Sequence, residues 1–332
     1  MRDAVTVMEH RGRSMGTDLH VVAVGDPLAG RDAIARTLAR LALLEARWSR
    51  FRSTSELSRA AAAAGSWCDV SDDTVRLVAA GLAAHERTGG RCDMTGGAAI
   101  AAAGYDRDLD ERRRLGASSV HPARPFPGPD AVELDARTRR LRLAPGTVLD
   151  AGAIGKGLAA DLVVAELLGV DGVAPGASGT IGGLEGLCVN VGGDLRATGR
   201  PPHGGEAWGV DVILPELAPS CAEGAAEVAA PRWSMREGAV ATSSSVRRVW
   251  DTTAGPAQHV LDPRTGAPAS APPLLVSVHA GSAWWAEASA TALMLLEAGD
   301  RDAWAHAAGI AALVVGPDGT VARHGAVDGR LA

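Results

Sequence analysis

The chain has 332 residues, a length for one large domain or two intimate ones, and its 46% hydrophobic and 22% charged content is ordinary for a globular protein with a sizeable core. A balance of 33 basic and 39 acidic residues gives a net charge of −6, so no nucleic-acid partner is implied. Four scattered cysteines without a C-x-x-C pair argue against a disulfide framework or a cysteine zinc site, and no apolar run approaches the ~20 residues of a membrane helix.

The N-terminal residues lack an apolar stretch followed by a small-residue cleavage site, so a cytoplasmic protein without membrane insertion is expected. In chain order, HVVAV (20–24) reads as a first strand. Residues 31–51 then place Ile34, Leu38, Leu41 and Leu44 on one helical stripe. Val75 to His85 predicts a second helix, ended by Gly89-Gly90. AVELD and RLRLA alternate apolar with polar residues around the turn-forming ARTR, the pattern of a hairpin. Lys156 to Leu168 predicts a helix, CVNVGGDLRATG a strand entering a glycine turn, and WGVDVIL another strand. The last third alternates strand (LLVSVHA), helix (Ser282 to Leu296), short helix and hairpin. Residues 170–186, rich in Gly, Ala and Ser, and 215–231, rich in Pro and Ala, read as loop insertions in a single catalytic domain. Without a regular βαβ rhythm, the fold class is α+β, with mixed or antiparallel sheets and flanking helices.

Four stretches carry chemistry. DAGAIGKGLAAD (150–161) brings a glycine-rich turn and Lys156 to the start of a helix. Backbone N–H groups, the helix N-terminus and an ammonium there suit an anion. The spelling is neither a P-loop, because Gly157 follows the lysine, nor a G-x-G-x-x-G fingerprint, and alone it is equally a plain strand-to-helix turn. In WWAEASATALMLL (284–296), Glu287 and Thr291 stand four apart on one helix face and offer hard oxygens to Mg²⁺, or are simply a solvated glutamate and a filler. In QHVLDPRTGAP (258–268), His259 could accept a proton near neutrality, or the stretch is a structural turn capped by Asp262. Asn190, Gly192, Gly193 and Asp194 permit close backbone approach to a ligand, or form a β-bulge.

In this order the pieces resemble the ApbE family, the FAD:protein FMN transferases, over nearly the whole chain. SMGT (14–17), WSRFRSTSELSR (48–59), GGRCDMTGG with Asp93 and Thr95, LDAGAIGKGLAAD, VNVGGDLRATG, VATSSS, HVLDPRTG and AEASATAL are similar to its successive motifs. The resemblance implies two packed lobes around a flavin cleft, and flavin contacts at Met15, Phe51, Arg91, Cys92, Asp93, Asp150, Lys156 and Leu261. It implies Mg²⁺ held by the Ala153 carbonyl, Glu287 and Thr291, and His259 as the base. The implied reaction moves FMN from FAD to a Ser or Thr hydroxyl of an acceptor protein and releases AMP. Three departures from the family leave two other outcomes open, FAD binding with weakened or lost transfer and hydrolysis of FAD to FMN and AMP. Glu287 replaces the usual Asp, Phe51 a common Tyr, and the alanine tract 60–64 a common Asn.

Overall fold

The computed structural model describes residues 6–169, 181–214, 231–327 and 331. The predicted insertions at 170–186 and 215–231 lie outside the described residues from 170 to 180 and from 215 to 230. Residues 184–186 belong to a strand instead, because they pair with the strand of HVVAV.

An eight-stranded sheet, antiparallel at every pairing, organises the molecule. Its order is β1 (Thr6–Ser14), β2 (Thr17–Gly25), β6 (Leu184–Val191), β7 (Asp194–Gly199), β10 (Gly238–Ser244), β13 (Leu275–Ala280), β14 (Ala311–Val315) and β15 (Val321–Gly325). Strand periodicity sends Val21 and Ala23 to one side and Val22 and Val24 to the other. One side packs on helices. The other packs on Trp208 and Trp233 of the ribbon β8 (Trp208–Asp211) with β9 (Arg232–Met235). Both faces are therefore dry at β13, where all six residues are buried. The expected first strand is the second, since the charged edge strand β1 precedes it. The predicted hairpin is present as β4 (Val132–Asp135) and β5 (Arg140–Leu143), with β3 (Cys68–Asp69) beside it. A further ribbon joins β11 (Val249–Thr252) to β12 (Gly255–Gln258).

Helix α1 (Pro27–Trp48) begins four residues before the predicted start, where Pro27 follows Asp26 and the Asp26 carboxylate accepts from the Leu28 and Ala29 amides. Its predicted stripe is real: Leu41 and Leu44 are buried, and Ile34 and Leu38 pack partly against the core. Short helices α2 (Glu56–Ala62), α4 (Gly97–Ala102) and α5 (Leu109–Arg114) connect the longer elements. Helix α3 (Asp72–Arg87) ends before Gly89 and Gly90, both at positive φ. Helices α6 (Gly155–Leu168) and α7 (Ala283–Leu295) are apolar almost all round, as befits central helices, and α8 (Arg301–Ala308) covers the sheet edge.

A carboxylate joins the two central helices. Asp161 of α6 accepts from the Ala283 and Trp284 amides, both at 2.9 Å, capping the start of α7, where Ser282 makes no side-chain cap. Removing it orphans two enclosed N–H groups, so Asp161→Ala is expected to cost about 2–4 kcal/mol in urea unfolding at pH 7. Burial pushes the Asp161 pKa up to about 6, against the pull of those amides and Arg196. The folded chain therefore keeps a proton that the unfolded chain releases above about pH 4. Stability falls by up to about 3 kcal/mol between pH 4 and 6, a slope that Asp161→Asn removes.

Candidate active site

The same helix pair builds the chemistry. A Cβ at Gly157 would lie 2.3 Å from the Ala283 carbonyl oxygen and 2.8 Å from the Trp284 nitrogen, so only glycine lets α6 approach α7 this closely. Gly157→Ala is expected to destabilise the fold by about 1–3 kcal/mol in urea unfolding, because backbone must move to admit the methyl group. The close approach also leaves the first-turn amides of α6, which have no side-chain cap, open to partners across the gap. Gly157 donates its N–H to Glu287 Oε2 at 2.8 Å.

Glu287 Oε1 receives the Lys156 ammonium, which also pairs with Asp194 Oδ2 at 2.6 Å and reaches the Gly152 carbonyl at 3.3 Å. The three side chains are 12%, 4% and 3% exposed for Lys156, Asp194 and Glu287. Two buried carboxylates around one ammonium leave an excess negative charge. Burial opposes the Lys156 charge, but Asp194 and Glu287 outweigh it and hold its pKa above the ordinary value. Burial, reinforced by Asp194, pushes Glu287 up to about 8.

Asp194 arrives on a two-residue turn. Gly192 and Gly193 have φ of 67° and 98° between the paired Val191 and Asp194, so the double glycine forms a hairpin turn and not a bulge. A second such turn, Met15 and Gly16 at φ 52° and 70°, lies beside it, with the Gly192 amide donating to the Asp18 carbonyl at 2.8 Å. Glu45 of α1 accepts the Met15 amide at 2.9 Å and fixes that turn at the mouth.

These elements enclose a cleft of about 1020 Å³, at the upper end of small-molecule sites. On its wall stand Met15, Phe51, Arg91, Asp93, Asp150 and Leu261, together with Ala153, Lys156, His259, Glu287 and Thr291. Cys92 does not join them: its thiol is turned into the core, where burial first and the nearby Glu287 and Asp93 charges second push its pKa up. Asp93 binds the Thr95 amide and hydroxyl at 2.8 and 2.7 Å and shapes its own turn. Asp150 accepts from the Gly152 amide at 2.7 Å and pairs with Arg50 at 3.0 Å. Arg50 lies over the exposed Phe51 ring at 4.2 Å. Asp262 takes the capping role, with its carboxylate accepting the Arg264 amide at 2.9 Å and its carbonyl the Gly266 amide at 2.7 Å.

His259 is neutral. Burial, then the positive charges of Arg248 and Lys156, push its pKa down to about 3, while the Arg248 backbone pulls weakly the other way. Its Nδ1 is enclosed and has no hydrogen-bond partner among the described residues.

Among the described residues, no cluster of three His, Cys, Asp or Glu side chains could hold a metal ion. The set at 153, 287 and 291 is of another kind, one carboxylate with a hydroxyl and a carbonyl, all hard oxygens that suit Mg²⁺. It fits a cation because the two carboxylates of Asp194 and Glu287 outnumber the one ammonium of Lys156 between them. Thr291 donates its hydroxyl proton to the Glu287 carbonyl at 3.2 Å, a bond that uses no oxygen lone pair.

Sequence reasoning left out several wall residues. Tyr105, the chain's only tyrosine, stacks on Trp250 at 5.1 Å and meets Phe51 edge-on at 5.7 Å, extending the aromatic side of the cleft. Its uniqueness was the available signal. Asp194 was noted for its turn but not as the partner of Lys156, and Arg248 has no local pattern to mark it.

The ApbE family matches residues 15–314. A relative from Klebsiella pneumoniae named FAD:protein FMN transferase is 26% identical over 291 residues, spanning 86% of this chain and 77% of that protein. The crystal structure of the ApbE protein from Thermotoga maritima superposes with a TM-score of 0.75 at 23% identity, covering 96% of this chain and 97% of that one. For the apo flavinyl transferase ApbE of Pseudomonas stutzeri the TM-score is 0.74 at 25% identity, with coverage of 99% and 98%.

Proposed function

Because this chain belongs to the ApbE family, we propose that it transfers FMN from FAD to a serine or threonine hydroxyl of an acceptor protein, with Mg²⁺ at the diphosphate and AMP released. The observation that carries the reading is the meeting, in one cleft, of Lys156 at the start of α6 with Glu287 of α7, 131 residues later. Ala153, Glu287 and Thr291 would hold the ion. When bound it withdraws charge from the diphosphate oxygens and so eases cleavage of the anhydride.

The chain's own residues do the rest. The aromatic side at Phe51 and Tyr105 offers a stacking surface for the flavin ring. Lys156, tethered to Asp194, supplies a fixed positive charge beside the diphosphate. His259, holding no proton on at least one nitrogen, accepts the hydroxyl proton as the acceptor oxygen bonds to the FMN phosphorus. The bridging P–O bond breaks, and its electron pair leaves with AMP.

The test is incubation with FAD, Mg²⁺ and a candidate acceptor domain. Flavin fluorescence on the denatured acceptor together with stoichiometric AMP supports transfer. Neither signal, across a Mg²⁺ titration, overturns it. A second reading, FAD held without turnover, draws on Glu287, whose two oxygens are both already engaged. It requires tight FAD retention and no AMP.

A further inference from the structure

We infer that Arg248 is the residue that grips the phosphate being transferred, an assignment that rests on the flavin-transfer reading. The ribbon of β11 and β12 ends on the pair of Val249 with Gln258, and Arg248 and His259 are the residues that flank this last pair. Both residues stand on the cleft wall.

Of the wall cations, Arg91 and Arg248 have no carboxylate ion pair among the described residues, and of these two Arg248 is the one beside His259 at the end of the β11–β12 ribbon. Lys156 is matched by Asp194 and Glu287, Arg50 by Asp150, and Arg52 by Glu45. No carboxylate of the described residues makes an ion pair with Arg248, although it is partly buried. It stands instead on the same cleft wall as Lys156, another cation, and as His259 and Tyr105. Two cations converging on an imidazole are mutually unfavourable until an anion lies among them. A guanidinium also matches a phosphate with two parallel hydrogen bonds, which an ammonium cannot. Because His259 faces the attacking hydroxyl, the phosphate within reach of Arg248 is the one under attack, that of FMN. Negative charge on its non-bridging oxygens is what the guanidinium holds while the bond to the acceptor oxygen forms and the bond to AMP breaks.

The test compares wild type, Arg248→Met and Arg248→Lys by FAD titration, steady-state transfer and thermal melting. Arg248→Met is expected to weaken FAD binding about ten- to hundredfold and to flatten its dependence on salt, with melting unchanged. Arg248→Lys recovers most of the binding but loses at least about fivefold in kcat, a split that a purely structural role would not give. FAD binding and kcat within twofold of wild type in both variants overturns the assignment alone. A wild type that binds no FAD sinks the flavin reading and this assignment with it. Should Arg248→Met melt early, the kcat of Arg248→Lys decides, and an unchanged value overturns the proposal.

Discussion

His259→Asn slows FMN transfer by about 10²–10⁴-fold while FAD binds nearly as in the wild type, the expected outcome of removing a general base that does not hold the flavin. Steady-state transfer and FAD titration together check it. The pH dependence is more specific. Burial and the charges of Arg248 and Lys156 hold the His259 pKa near 3, so the base is already free of its proton at pH 5. His259 therefore adds no acid limb to kcat/KM, which reports the free enzyme, between pH 5 and 7, and a limb that shifts with Mg²⁺ concentration belongs to Glu287. Bound diphosphate offsets both cations and raises the imidazole pKa, so the acid limb of kcat lies higher than that of kcat/KM. A limb of kcat/KM near pH 6.5 would show an imidazole that titrates as if exposed. Stability follows the same sign: the unfolded histidine gains a proton below about pH 6.5 that the folded one refuses until about pH 3. The fold loses stability as pH falls through that window, and His259→Asn loses less.

Glu287→Ala separates activity from stability. It removes one of the proposed Mg²⁺ ligands and is expected to lower AMP release at least about 10³-fold at every Mg²⁺ concentration. A buried residue 3% exposed would ordinarily be costly to delete. Here the deletion leaves Lys156 and Asp194 as a balanced pair, and the group lost is one that burial and Asp194 already push toward its neutral form. Unfolding free energy is expected to fall by no more than about 1–2 kcal/mol, mostly from the orphaned Gly157 amide. Lys156→Met does the reverse. It strands two carboxylates in the interior and is expected to cost about 3–5 kcal/mol. Glu287→Asp keeps the charge and the hard oxygen, and Mg²⁺-dependent activity should survive it. Wild-type activity in the alanine variant would reduce Glu287 to a structural acceptor.

Elements set by local sequence pattern are legible in the chain. The stripe of α1 and the β4–β5 hairpin follow from periodicity within a dozen or so residues, whereas α6 and α7 show as nearly unbroken apolar runs. Strand β1 escaped because an edge strand bearing Glu9, His10, Arg11 and Arg13 lacks the apolar alternation of a half-buried one. The double glycine after β6 was ambiguous because only the pairing of Val191 with Asp194 decides between turn and bulge. Arg248 is placed by a register, not a motif, and nothing in SVRRVW distinguishes it from its neighbour Arg247. The pairing of Lys156 with Asp194 likewise needs α6 and the turn between β6 and β7 to meet, which no window of sequence reports.

The clasp of Asp194 and Glu287 on Lys156 has a practical corollary, since this is the sole lysine among 33 basic residues. Feeding ¹⁵N-lysine gives a single side-chain nitrogen resonance, with no tag or cysteine mutant required. Its frequency in the presence and absence of magnesium and dinucleotide follows one ammonium as it exchanges one set of oxygens for another.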